Sequence, residues 1–175
     1  MKKKAIKPTI RQVAIWGMMI ALAMILSYVE AQIPPLFAFP GMKLGLTNIV
    51  VLLALYQLGN TAALTVNLLR IVLVSVLFGT FSSFIYSLAG GTLSTVLMLL
   101  MKNIFRLRTV TVSIVGGVTH NIGQIVTAMV LMNTAGLGWY MGVLWFTGLI
   151  TGALIGILGN ELIKRLPDKL FRKGS

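Results

Sequence analysis

Six long apolar runs, separated by short breaks, limit what this chain can fold into more than any other feature. They are Val13–Val29, Leu46–Leu58, Ala62–Phe78, Phe84–Met101, Val110–Met132 and Tyr140–Ile163. A helix crossing a hydrocarbon core of ~30 Å needs about 20 such residues. The second run is short, but Gly41–Gly45 would extend it and a tilted neighbour would cover the difference. Only 10% of the residues are charged, against roughly 25% in a soluble domain. A water-soluble fold is thereby excluded, and so is disorder, which needs low hydrophobicity and high charge. The expected fold class is all-α: an integral membrane protein of six transmembrane helices. Residues 13–163 form the membrane domain, with basic segments 1–12 and 164–175 on either side.

The net charge of +12 would suggest nucleic-acid binding in a soluble protein. Here its distribution says otherwise. Lys2, Lys3, Lys4, Lys7 and Arg11 precede the first run; Lys102, Arg106 and Arg108 lie between the fourth and fifth; Lys164, Arg165, Lys169, Arg172 and Lys173 follow the last. Blocks of this kind mark cytoplasmic segments. With six spans, both termini and the fourth-to-fifth connection share the cytoplasmic side, while the outward connections hold only Lys43. A competing reading takes residues 2–31 as a secretory signal cleaved near Val29-Glu30-Ala31, although its apolar stretch exceeds the usual 7–15 residues. An intact-mass measurement separates the two.

Several chemistries are absent. Without cysteine and with a single histidine, the chain has no thiolate or zinc site. No acid pair is spaced for magnesium and diphosphate, no phosphate loop is present, and no acid is placed to orient a histidine base. The chain is read as a non-enzyme with no resident cofactor.

Polar groups within the runs are functional candidates, because lipid offers them no partners. Arg70 lies in the middle of the third run, one turn after Asn67. His120, Asn121 and Gln124 occupy the middle of the fifth, with His120 and Gln124 on one helix face. Asn48 lies in the second, just after Lys43. The three acids are Glu30, Glu161 and Asp168, none expected at mid-depth, so no carboxylate is predicted beside Arg70. A guanidinium does not shed its proton. It is either satisfied by amides and carbonyls or lines a cavity that takes a ligand, and the residues alone leave both open. His120 is either an interhelical hydrogen-bonding group or part of that cavity. On the first run Ala14, Gly17 and Ala21 cluster on one face, for close packing within the bundle or against another subunit. The segment Glu30–Gly45, with Pro34, Pro35 and Pro40 among Leu36, Phe37, Phe39 and Met42, is either interfacial or a flap over an outward site.

Five motifs in order, Pro40-Gly-Met-Lys-Leu-Gly-Leu-Thr-Asn48, Leu68-Leu-Arg70, Leu77-Phe-Gly-Thr80, Ser87-Leu-Ala-Gly-Gly91 and His120-Asn-Ile-Gly-Gln124, resemble the Gx transporter family. That family also carries the label heptaprenyl diphosphate synthase component I, and the likeness runs from about Arg11 to Asn160. It is similar to the substrate-binding S components of energy-coupling factor importers. The resemblance implies an S-component-like bundle that captures a small vitamin-like or anionic compound outside. It also implies partners: a transmembrane coupling subunit, contacted through Ala14, Gly17 and Ala21, and ATPase subunits. Arg70, His120, Asn121, Gln124, Asn67, Lys43 and Asn48 would then line the substrate pocket. The alternative is a non-catalytic membrane partner in isoprenoid, quinone or flavin-linked redox metabolism, as the synthase label suggests.

Overall fold

Helices that are apolar on every side cannot hide their side chains from water by packing on one another alone, and the fold reflects this. In the computed structural model, which describes residues 9–32, 45–167 and 171, every regular element is helical. They are α1 (Ile10–Gln32), α2 (Leu46–Leu53), α3 (Asn60–Phe78), α4 (Phe81–Asn103), α5 (Thr109–Leu131) and α6 (Met141–Arg165). A π-helical turn, Ala54–Leu58, continues α2, and a 3₁₀ turn, Ala135–Tyr140, leads into α6. Five of these helices are long and apolar enough to cross a membrane. Large apolar side chains, among them Val76, Phe81, Val130, Trp139 and Leu154, point outward. In water that surface would aggregate; against lipid it is the stable arrangement.

The breaks lie where glycine predicts them. Gly59 ends the α2 turn at a φ of 98°, in the left-handed region that glycine alone enters cheaply. Gly79 ends α3, and Thr80 caps α4 by accepting the Ser83 N–H at 3.1 Å. The Val29-Glu30-Ala31 stretch lies inside the unbroken helix α1.

The short α2 is the centre of the bundle. Its Val50, Val51 and Leu52, with Ala54 and Leu55 of the following turn, are buried against Ala23, Ala63, Val66, Met98 and Val112. Helix and turn together span Leu46–Leu58, about 20 Å at 1.5 Å per residue. That is two-thirds of a membrane, so α2 is shielded by its neighbours and starts inside the bundle.

The π-helical turn is tied at the opposite end to three other elements. Lys102 of α4 donates to the Leu55 carbonyl and lies 4.8 Å from the centre of the Tyr56 ring. Tyr56 donates to the Leu107 carbonyl at 3.4 Å, and Gln57 to the Ile163 carbonyl at 3.2 Å. Helix C-termini leave carbonyls without partners, and these side chains supply three donors. The end of α2, the α4–α5 connection and the end of α6 therefore meet where Lys102, Arg106, Arg108, Lys164 and Arg165 gather. We call this the basic end.

Glycine brings α5 and α6 into backbone contact. A Cβ on Gly148, Gly152 or Gly156 would fall 2.7–2.9 Å from the Cα of Val118, Ile114 or Val110, respectively. Small residues four apart thus form the α5–α6 seam. The small residues of α1 do not pack this way: Ala14, Gly17 and Ala21 face outward, and a Cβ on Gly17 would meet nothing within 4 Å.

Candidate functional site

The polar centre begins with two residues one turn apart on α3, Asn67 and Arg70, which share a helix face. Asn67 is fully buried. Its amide donates to the Gly91 carbonyl at 3.0 Å and to Thr95 Oγ1 at 2.9 Å, both on α4. Thr95 Oγ1 in turn donates to the Gly91 carbonyl at 2.8 Å. With both amide protons committed, the Asn67 oxygen is fixed, and Arg70 Nε donates to it at 3.1 Å. Glycine at position 91 permits this approach: a Cβ there would lie 2.7 Å from Ile71 Cδ1 and 3.3 Å from Asn67 Nδ2.

Arg70 is 8% exposed. Among the described residues, no carboxylate lies within ion-pair distance of it. Glu30, near the end of α1, is nevertheless buried, at 7% exposure. The reason lies in the depth at which α2 begins. Gly45, left-handed at φ 75°, precedes α2 and donates its backbone N–H to Glu30 Oε1. Thr47 donates to Glu30 Oε2 at 3.4 Å and pairs with Ser27 at 3.1 Å. A carboxylate at a helix N-terminus meets partial positive charge, so the start of α2 draws Glu30 into the bundle.

The second polar pair packs on the adjacent residue of α4. A Cβ on Gly90 would lie 2.6 Å from the His120 carbonyl, 2.7 Å from Gln124 Cγ and 3.4 Å from His120 Nδ1. His120 and Gln124 therefore share a face directed at α4, as their spacing requires. Gly90 and Gly91 carry the two clusters side by side, the α5 pair against one and the α3 pair against the other.

Asn121 turns the other way. Its amide donates to the Leu144 carbonyl of α6 at 2.9 Å, inside the glycine seam, where it ties two helices. Asn48 faces the same side of the bundle. It lines a cavity of about 10 Å³ with Gly45, Ser113, Gly117, Thr151, Gly152 and Ile155, room for about one water. Lys43 lies outside the described residues. The structure thus joins Asn67 to Arg70, sets His120 and Gln124 beside them, ties Glu30 to the start of α2, and places Asn121 and Asn48 toward α6.

Sequence reasoning passed over Glu30, Thr47, Ser27 and Thr95. The usable signal for Glu30 was an acid in the last turn of an apolar helix. Among the described residues, no group of histidine, cysteine or acid side chains is gathered to hold a metal. What the arrangement offers is a buried guanidinium oriented by Asn67 inside an apolar bundle.

No curated protein and no solved structure matches the chain. A family described as heptaprenyl diphosphate synthase component I matches residues 19–162. That span includes every element of the polar centre, from Glu30 on α1 to Gln124 on α5, and the chain belongs to this family.

Proposed function

We propose that the protein is a substrate-capturing membrane subunit, similar to the S components of energy-coupling factor importers. In this reading it has six membrane-embedded helices, with both termini and the basic end in the cytoplasm of a bacterial cell. The observation that carries it is Arg70: buried at mid-helix and held, among the described residues, through Nε to Asn67. Its two terminal nitrogens make no hydrogen bond to any described residue. A purely structural arginine in lipid would spend those donors on carbonyls or carboxylates.

The outward face of α1 supports the second half of the reading. Ala14, Gly17 and Ala21 leave a shallow, small-residue surface that no described part of the bundle covers. Such surfaces let another helix approach closely, and a transmembrane coupling subunit with its ATPases is the partner the resemblance implies. The chain supplies recognition, and the partners supply the energy to release the cargo inward.

The test is a screen of the purified protein against small polar and anionic metabolites by native mass spectrometry and thermal shift. A ligand that binds the wild type and is lost in both Arg70→Ala and the charge-keeping Arg70→Lys supports capture. The family description favours one other reading, a non-catalytic membrane partner of a prenyl synthase. An empty screen, together with stable co-purification of a soluble synthase, would replace the first reading with the second.

A further inference from the structure

We infer that the α4–α5 connection and the end of α6 together bind the phosphate head group of an acidic phospholipid. The inference concerns the basic end and stands apart from whatever is held at Arg70.

Five cations lie at this end of the bundle, and the structure sorts them. Lys102 is turned inward, donating to the Leu55 carbonyl beside the Tyr56 ring. Arg165 is paired with Glu161 on its own helix at 2.9 Å. Glu161 is the only acid among the described residues at this end, and that pair uses it. Arg106, Arg108 and Lys164 remain, all exposed and, among the described residues, in no ion pair.

The backbone beside these three is fixed. The Leu107 N–H donates to the Met101 carbonyl at 3.1 Å, and the Leu107 carbonyl accepts from Tyr56 at 3.4 Å. Gln57, the next residue of the π-helical turn, donates to the Ile163 carbonyl at 3.2 Å, one position before Lys164. Two consecutive side chains of one turn thus anchor the chain next to all three cations. The connection bends at Arg106, whose φ of 51° is left-handed. Glycine or asparagine enters that region more cheaply, so the bend itself gives no reason for a guanidinium there.

The neighbouring side chains decide where the anion comes from. The residues Ile104–Arg108 that join α4 to α5 are too few to rise clear of a head-group layer. Ile104 and Phe105, 66% and 61% exposed, directly precede Arg106, and exposed Leu162 stands close before Lys164. Apolar side chains set against cations suit an amphiphile, whose acyl chains meet the first and whose phosphate meets the second. Arginine adds a planar fork that matches phosphate oxygens. A free phosphate would leave the apolar residues unused.

The experiment is native mass spectrometry of the purified full chain in detergent. It is titrated with phosphatidylglycerol or phosphatidylcholine of the same acyl chains, and the acidic lipid should bind roughly 20–100-fold more tightly. Arg106→Gly and Arg108→Gln should each weaken phosphatidylglycerol by about fivefold and leave phosphatidylcholine unchanged. Glycine suits the bend at 106, so Arg106→Gly should lose lipid without any fall in melting temperature. Arg106→Lys should keep most of the binding. Equal retention of the two lipids overturns the inference, as do arginine variants that bind phosphatidylglycerol like the wild type. Equal retention with loss of a co-purifying soluble synthase in those variants would make the surface a protein interface instead. Displacement of the lipid by an equal concentration of inorganic phosphate would assign the site to a free anion and overturn the inference. Displacement by an equal concentration of farnesyl diphosphate would assign it to a prenyl diphosphate, with the same result.

Discussion

Asn67 does more for the site than its modest chemistry suggests. One side chain satisfies a glycine carbonyl, a threonine hydroxyl and an arginine at once. Asn67→Leu keeps the branching of the side chain and removes all three bonds, leaving Arg70 Nε to find another partner. We predict a loss of about 1–2 kcal/mol in stability, read as a lowered melting temperature, and loss of any ligand dependent on Arg70. A variant that melts like the wild type would show that the guanidinium is held by something else. At this scale the sequence disclosed about half of the site. Asn67 with Arg70, and His120 with Gln124, were legible because helical spacing alone puts each pair on one face. Glu30 was not, because its bonds to Gly45 and Thr47 join two segments whose relative placement the sequence leaves open. Asn121 shows the same limit: adjacent to His120 in the chain, it points to a different helix.

The helices themselves were readable to within a few residues, since length and apolarity define a span and glycines mark its ends. Which faces meet was not readable. The Gly148, Gly152 and Gly156 spacing is plain in the sequence, yet equally small residues on α1 carry no internal contact. This difference is testable. Gly152→Ala puts a Cβ 2.7 Å from Ile114 Cα, a backbone atom that cannot rotate away. It should destabilise the bundle by about 1–3 kcal/mol, whereas Gly17→Ala, facing open space, should leave the melting temperature unchanged. A bulkier change, Gly17→Leu, should again spare the isolated protein while weakening its co-purification with a coupling subunit. At the basic end, Lys102→Met keeps the apolar stem and removes the donor to Leu55. Hydrogen exchange at the turn Ala54–Leu58 should then quicken relative to the rest of α2; equal rates would mean that Lys102 does not hold this turn.

For the whole molecule, the basic end gives the orientation a direct check. The chain has no cysteine, so single cysteines introduced at Arg106 and Gly136 report without background. A membrane-impermeant maleimide added to intact cells should label Gly136→Cys and spare Arg106→Cys until the membrane is opened. The reverse pattern would invert the proposed topology and turn the polar centre toward the cytoplasm.

The early start of α2 has one more consequence for that centre. Helix and turn rise about 20 Å from the basic end, and Thr47, in the first turn of α2, bonds to Glu30. Arg70 stands ten residues beyond the start of α3, about 15 Å at 1.5 Å per residue, so a solute entering a hydrocarbon layer of ~30 Å from the far side descends about half of it before it meets the guanidinium. In the proposed capture role, the rest of that path is blocked by packed helices, so onward passage would require the protein itself to be moved.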